Sequence, residues 1–358
     1  MLVTFALILA CVLLCLLTFL PFSKHRAWWV RIWDFPRLQI ACLLTVLLGA
    51  VIWLQPWDSP LTWVLLLAGG GALAVQLWWI TPYLPLFRRE VKTAAAQSGA
   101  TLSMLVSNVL APNRNSSILL KQIREYEPDL VVTLESDLWW ERQLDSLADR
   151  YPHSVKCPLA NLYGMHLYSK LPLEAAELAF LVEEDVPSMH TQIALGVGVR
   201  VSLHFLHPAP PSPTENPEST ERDVELLMLA RRLEGNENPV IVAGDLNDVA
   251  WSRTTRLFRK LSGLLDPRVG RGLYSSFHAD YRLLRWPLDH LFHSDHFGLV
   301  RLARLAHMGS DHFPLFVELC YLGANTDQDG LEQDNDDRAE AEETVREGSR
   351  SIARGETQ

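Results

Sequence analysis

Gly309-Ser310-Asp311-His312 closes a series of polar residues that begins at Asn108 and Glu135 and runs through His207, Gly244-Asp245-Leu246-Asn247 and Leu288-Asp289-His290. Each polar residue sits at or just beyond the end of an apolar, strand-like run. The ends of buried strands are where a rigid scaffold aims side chains into one cleft. Carboxylates, amides and imidazoles gathered this way suit a hard divalent cation, a polarised water and a phosphate group. The chemistry they point to is metal-dependent hydrolysis of a phosphoester.

Glu135 ends the run Leu130-Val131-Val132-Thr133-Leu134. Desolvating a carboxylate alone is costly, and a divalent cation is the obvious partner. Mg²⁺ takes oxygen ligands and keeps several waters, so one or two carboxylates suffice. Asn108, after Met104-Leu105-Val106, can supply another oxygen or orient the first ligand. Standing alone, an Asn or Glu in such a place is more often a cap or a rim charge.

Gly244-Asp245-Leu246-Asn247 follows the uninterrupted strand-like run Val240-Ile241-Val242-Ala243. An Asp and an Asn two apart at a strand end point to the same side. One can accept a proton from water while the other donates to a phosphoryl oxygen; the plainer reading is an Asx turn opening a helix. Asp289 with Asp311-His312 reads as an imidazole held by a carboxylate, which fixes its tautomer and raises its basicity. His207, ending Val199 to Leu206, offers a second imidazole for a phosphate oxygen or a leaving group. His290, His293 and His296 read as a neutral surface cluster or an additional metal-binding patch.

From about Thr101 to Leu322 the elements that must position these residues alternate between strand-like and helix-like. Strands are expected at 102–109, 130–134, 165–168, 193–205, 240–243, 288–292 and 313–319. Helices are expected at 116–126, 138–150, 221–234 and 252–260. Pro208 to Pro217 is a proline-rich loop that follows His207 and either borders the site or is a surface connector. No internal repeat is visible, and the pattern is that of one α/β domain.

Three windows before this domain, Leu2 to Phe22, Leu38 to Leu54 and Leu61 to Ile80, carry no Lys, Arg, Asp or Glu. Each approaches the ~20 apolar residues that cross a bilayer. Trp28, Trp29, Trp33, Trp53, Trp57, Trp63, Trp78 and Trp79 cluster near their ends, where amphipathic rings favour the headgroup region. The first window lacks the basic start and small-residue cleavage pattern of a signal peptide. Lys24, Arg26, Arg31, Arg37, Arg88, Arg89 and Lys92 flank one side of the three spans. The positive-inside rule then places the amino terminus outside and the large domain in the cytoplasm. The expected organisation is a membrane anchor at 1–90 with spans at about 2–22, 38–54 and 61–80, a catalytic domain at 91–322, and an acidic disordered tail at 323–358.

The net charge is −10, of which −7 falls in that tail. A strongly basic nucleic-acid groove is therefore not part of the composition. Arg253, Arg256, Arg259 and Lys260 remain as a local phosphate track or a solvated helix face. The five cysteines have no metal-ligand spacing, and three lie in the apolar windows.

The domain resembles the endonuclease/exonuclease/phosphatase superfamily of DNase I-like enzymes over roughly Met104 to Leu319. The ordered matches are Asn108, Asp129 to Glu135, Gly164 through Ser169-Lys170, His207, Gly244-Asp245-Leu246-Asn247, Asp289 and Ser310-Asp311-His312. The whole chain is similar to a bacterial, membrane-anchored branch. The resemblance implies a four-layer sandwich of two mixed, mostly antiparallel sheets flanked by helices, here preceded by three transmembrane helices. It implies Mg²⁺ or Mn²⁺ and in-line attack by water on a phosphodiester or phosphomonoester. Glu135 would be the principal metal ligand with Asn108 and Asp311 nearby, and Asp245 and Asn247 would activate the nucleophile and contact phosphate. His312, oriented by Asp289, would be the base or transition-state stabiliser, and His207 would contact phosphate. A nucleic acid and a lipid headgroup both suit as substrate, the bilayer is the one further partner expected, and nothing marks a protein partner. The rival reading is a non-catalytic membrane scaffold on the same fold.

Overall fold

The computed structural model describes residues 1–196, 198–324 and 326–354. The chain opens with α1 (Leu2–Phe19), the single-turn α2 (Trp28–Arg31), α3 (Arg37–Leu54) and α4 (Pro60–Ile80). Leu2–Phe22, Arg37–Leu54 and Pro60–Tyr83 are each long and apolar enough to cross a membrane. Their shared seam buries Cys11, Leu14, Leu44, Val51, Leu65 and Ala72, while Val46 and Leu67 face outward. Outward apolar faces on a helix bundle suit lipid better than water.

The domain that follows contains β1 (Thr101–Asn108), α5 (Ser116–Tyr126), β2 (Leu130–Leu134), α6 (Leu138–Leu144), β3 (His153–Cys157), β4 (Met165–Ser169), β5 (Glu174–Ala179), β6 (Ser188–Ala194) and β7 (Arg200–Leu206). It continues with α7 (Thr220–Leu233), β8 (Val240–Asp245), α8 (Arg253–Ser262), β9 (Asp289–His293), β10 (Phe297–Arg304), β11 (Leu315–Tyr321) and α9 (Asn335–Ala353). One sheet runs β10-β11-β1-β2-β4-β3 and the other β5-β6-β7-β8-β9. Each contains a single parallel pair, β1–β2 in the first and β7–β8 in the second, with the remaining pairs antiparallel.

Side chains alternate across each strand, and that alternation builds the layers. Met104, Val106, Val132, Phe205, Ile241 and Leu291 point between the sheets into the main core. Leu105 and Val131 point the other way, onto Leu119 of α5 and Trp140 of α6. Val242 and Phe292 meet Leu226 of α7 and Phe258 of α8 on the opposite outer face. The result is the expected four-layer α/β sandwich. Because central strands are buried on both faces, they read as continuous apolar runs rather than as alternating ones.

Several sequence expectations need correction. The expected strand at 193–205 is two strands of a hairpin, with Ala194 opposite Arg200 and the Leu195 N–H bonded to the Val199 carbonyl at 2.7 Å. Gly196 and Gly198, both at positive φ, permit the reversal, which the apolar residues on either side conceal in the sequence. β3 and β5 lie at sheet edges with most side chains exposed or half-exposed, so they lack a buried-strand signature. The acidic stretch expected to be disordered contains α9, whose first turn is closed by a reciprocal cap between Asp334 and Asp337. Ala341 is buried against α7 and α8, and Lys260 meets Asp337 at 2.7 Å. The partners that hold α9 lie far away in sequence, which is why its own composition gives no sign of order. Residues 355–358 of that stretch lie outside the described residues.

The three histidines after Asp289 are buried rather than superficial. His290 bonds Arg268 at 2.6 Å and the Asp248 carbonyl at 2.9 Å. His293 bonds the Ser294 carbonyl, and His296 stacks on Tyr321. Their partners are separate, and they form no common metal site.

Candidate active site

The carboxyl ends of the two parallel pairs meet across the sandwich. Asn108 ends β1, Glu135 follows β2, His207 follows β7 and Asp245 ends β8. Asp289 sits beside Asp245 in the β8–β9 register, and the loop before β11 brings Asp311 and His312. All eight residues expected from the sequence therefore gather in one place. Glu135, Asp245, Asn247, Asp311 and His312 share the wall of one cavity of about 770 Å³.

Asn108 is the hub on the first sheet. Its Nδ2 donates to Glu135 Oε1 at 2.7 Å and to Asp245 Oδ2 at 3.1 Å, and its Oδ1 accepts the Leu110 N–H at 3.1 Å. With the amide oxygen already engaged by the backbone, the geometry suits a positioning residue better than a direct ligand. Glu135 has φ of 54°, a strained conformation for a non-glycine residue and one that concentrates at functional sites. Its Oε2 is buried without a hydrogen-bond partner. Burial pushes its carboxyl up to about 8, and Asp311 and Asp245 add to that against the Asn108 hydrogen bond and His312.

Gly244 is required for the approach of β7 and β8. A Cβ there would lie 1.9 Å from the Leu206 carbonyl oxygen, and φ is 148°. Asp245 Oδ1 accepts the Asn247 N–H at 3.0 Å, and the Asn247 amide donates to the Pro208 carbonyl at 3.0 Å. Asn247, at φ of 50°, thus ties the proline-rich loop to the site. That loop borders the cavity through Pro210 and Pro211. Burial alone would raise the Asp245 carboxyl, but His312 and His207 hold it below the ordinary range.

His312 sits between two carboxylates, its Nδ1 2.7 Å from Asp289 Oδ2 and its Nε2 3.4 Å from Asp245 Oδ2. Burial disfavours its charged form, yet Asp289 and Asp245 overcome that and push it up to about 10. The Ser310 hydroxyl donates to the Asn108 carbonyl at 2.8 Å and accepts the His312 N–H at 3.0 Å, fastening this loop to β1. Opposite, His207 Nε2 lies 4.0 Å from Glu135 and 3.9 Å from Asp245. Burial pushes its imidazole down to about 4, so it is neutral. Tyr163, whose hydroxyl donates to Glu215, packs against the His207 ring at 5.3 Å.

A hard cation fits this donor set. Glu135 offers a buried oxygen with no donor against it, and Asp311 adds a second carboxylate on the same cavity. Asp245, Asp289 and His312 also place ligand atoms within 4.8 Å of one another, but the Asp289–His312 hydrogen bond already occupies part of that trio.

Sequence reasoning missed the aromatic walls of the cavity. Phe277 packs 4.9 Å from His312, and Trp286 stacks on Phe277. Trp28, Trp29, Trp33 and Phe35 line the side toward the apolar helices. The crowding of tryptophan between the first two windows was the available signal. The basic run at 253–260, by contrast, is spent elsewhere. Arg259 pairs with Glu90, Arg253 with Glu340, Lys260 with Asp337, and Arg256 lies 5.0 Å over Trp79.

Strand ends from two sheets, a carboxylate-held imidazole and an oxygen-rich pocket meet at one place in this fold. The chain matches the Endonuclease/Exonuclease/phosphatase family over residues 104–312 and belongs to that family. No curated protein matches it in sequence. Among solved structures it is similar to the endonuclease/exonuclease/phosphatase from Beutenbergia cavernae DSM 12333, at 17% identity and a TM-score of 0.51, covering 63% of this chain and 72% of that one. The human Nocturnin catalytic domain with bound sulfate gives 16% identity and 0.51, covering 66% and 99%. D. rerio TDP2 complexed with single strand DNA product gives 16% and 0.50, covering 61% and 98%. At these identities the likeness is one of fold.

Proposed function

We propose that this chain is a membrane-anchored, metal-dependent phosphoesterase that hydrolyses a phosphodiester or phosphomonoester by in-line attack of water. The observation that carries this reading is the convergence of Asn108, Glu135, His207, Asp245 and His312 from both sheets onto one cluster beside the cavity. Glu135 and Asp311 would hold Mg²⁺ or Mn²⁺, with Asn108 fixing the Glu135 carboxylate. When bound, such an ion supplies positive charge to the phosphoryl oxygens. Asp245, fixed by the Asn247 N–H and Asn108, orients the water and takes up its proton, while the protonated His312 ring stabilises the charge that develops on the phosphoryl group. The water oxygen forms the new P–O bond, the bond to the leaving oxygen breaks, and that oxygen takes up a proton. Asp289 holds the His312 ring so that its Nε2 faces the reacting group. Neutral His207 and Asn247 contact phosphate oxygens, where preorganised donors stabilise developing charge.

The three apolar helices act as a multi-pass anchor in the inner (plasma) membrane. The basic residues around 24–37 and 88–92 favour a cytoplasmic catalytic domain. Activity of a periplasm-only reporter fused after Gln358 would overturn that sidedness. Catalysis is tested on the purified full chain with a generic phosphodiester and a phosphomonoester, in Mg²⁺, Mn²⁺ or chelator, beside Asp245→Ala. Metal-dependent turnover lost in the variant is expected. A folded protein that turns over neither ester would favour the binding-scaffold reading instead.

A further inference from the structure

The cavity that holds Glu135, Asp245 and His312 is closed on its far side by a segment outside the matched family residues. Trp28, Trp29, Ile32, Trp33 and Phe35, between the first and second apolar helices, line it together with Trp286. This segment is fastened to the domain. The Trp28 N–H donates to the Pro217 carbonyl at 2.9 Å, and the Arg26 carbonyl accepts from Ser219 at 2.9 Å. Trp251 Nε1 donates to the Asp34 carbonyl at 2.7 Å, and Phe35 packs edge-on to Trp286 at 5.8 Å. Asp34 and Arg37, both buried, pair at 2.5 Å and set where the second helix begins.

Topology places this wall at the bilayer surface. With three spans, the segment joining the first two lies on the same side as the domain that follows the third. Trp29 and Ile32 are 49% and 47% exposed, so the apolar rim is open rather than sealed by protein. No Lys or Arg is among the described residues lining the cavity. The basic run on α8 is occupied by Glu90, Glu340 and Asp337, and in the wall segment Arg26 faces Glu347 while Arg31 is spent on Asp34 and the Pro21 and Ser23 carbonyls. A polymer of phosphates has no cationic track to follow here, whereas an apolar chain attached to one phosphate has a wall to lie on.

We propose that the 28–35 segment is part of the substrate site, and that the substrate is a phosphoester carrying a long apolar chain drawn from the bilayer surface. The phosphate reaches Glu135, Asp245 and His312, and the chain lies along Trp28, Trp29, Ile32 and Trp33. This inference rests on the phosphoesterase reading above.

The test uses full-length protein in lipid nanodiscs, with Mg²⁺, on p-nitrophenyl phosphodiesters whose second ester group is methyl, butyl or octyl, all kept below their micelle concentrations. Each fully buried methylene is worth about fourfold, so if the open wall realises about half of that free energy over seven methylenes, kcat/KM should rise about 100-fold from methyl to octyl. Trp29→Ser combined with Ile32→Ser should cut the octyl-to-methyl ratio at least about tenfold, with Trp29→Phe, Ile32→Leu restoring it. Turnover of the methyl ester with no dependence on chain length would overturn the inference and leave the phosphoesterase reading standing. Cleavage of a single-stranded oligonucleotide with kcat/KM above that of the octyl ester would overturn it too. Absence of turnover on every diester, on p-nitrophenyl phosphate as the monoester and on the oligonucleotide, in folded protein with either metal, would remove both readings together.

Discussion

Asp289→Asn isolates the electrostatic contribution of one buried group. Asp289 is 1% exposed and bonds His312 at 2.7 Å, while the other ring nitrogen faces Asp245 at 3.4 Å. The substitution keeps the volume and the capacity to accept the Nδ1–H but removes the charge. Two unit charges about 4 Å apart interact by about 4 kcal/mol at an effective dielectric of 20. If that attraction supports the imidazole through the transition state, its full loss would slow the reaction about 10³-fold. The retained hydrogen bond recovers part of it, so kcat should fall about 10²–10³-fold while KM changes little. The assay is steady-state hydrolysis of a soluble phosphodiester at saturating Mg²⁺, with thermal unfolding measured beside it. Because the two residues act as one unit, Asp289→Asn with His312→Gln should lose no more than His312→Gln alone. A folded Asp289→Asn protein with kcat within about fivefold of the wild type would refute the reasoning, since removing the full charge should cost far more. So would a loss carried wholly by KM.

Three further outcomes follow from neighbouring geometry. Chelation should abolish turnover and Mg²⁺ or Mn²⁺ restore it; saturating metal, at about 100 times Kd, should stabilise the fold by about 2.7 kcal/mol. Glu135→Gln should abolish that stabilisation without lowering the metal-free melting point, because burial already favours the neutral carboxyl there and its Oε2 has no hydrogen bond to lose; undiminished metal stabilisation in this variant would contradict the ligand assignment. Gly244→Ala should cost about 3 kcal/mol, roughly 6–12 °C in Tm, because its Cβ would collide with the Leu206 carbonyl at 1.9 Å; calorimetry showing less than about 2 °C would argue against the close approach of β7 and β8. Glu225, 2% exposed, is raised from 4.5 to about 8 by burial and then by Glu183. Its neutral form is favoured in the fold, so stability is full below about pH 4.5 and falls as pH rises toward 8. Denaturant titrations of Glu225→Gln should show a shallower loss across that window, and an unchanged slope would count against the burial effect.

Asn108, Glu135, His207, Asp245 and His312 were legible because each interrupts an apolar run with a group that is costly to bury alone. A glycine followed by Asp245 and Asn247 at a strand end added the turn that aims them. The sheets themselves were less legible. β3 and β5 are edge strands with most side chains exposed or half-exposed, and the β6–β7 reversal is hidden where two apolar runs adjoin. The tail misled because α9 is held by Lys260, Arg253 and Glu234, none of them near it in sequence.

The sequence by itself determined the candidate site residues, the α/β alternation and the three apolar helices, since all three are written in local pattern, while the four-layer arrangement was legible only through the family resemblance. Only the tertiary structure decided that the two parallel pairs end at one point, that Asn108 turns its amide toward two carboxylates, and that the α8 cations are already paired. It also made Trp28, Trp29 and Trp33 a wall of the cavity that holds Glu135, Asp245 and His312. The physical reason is that burial and charge pairing depend on which distant residues meet, and local pattern records only what each residue needs.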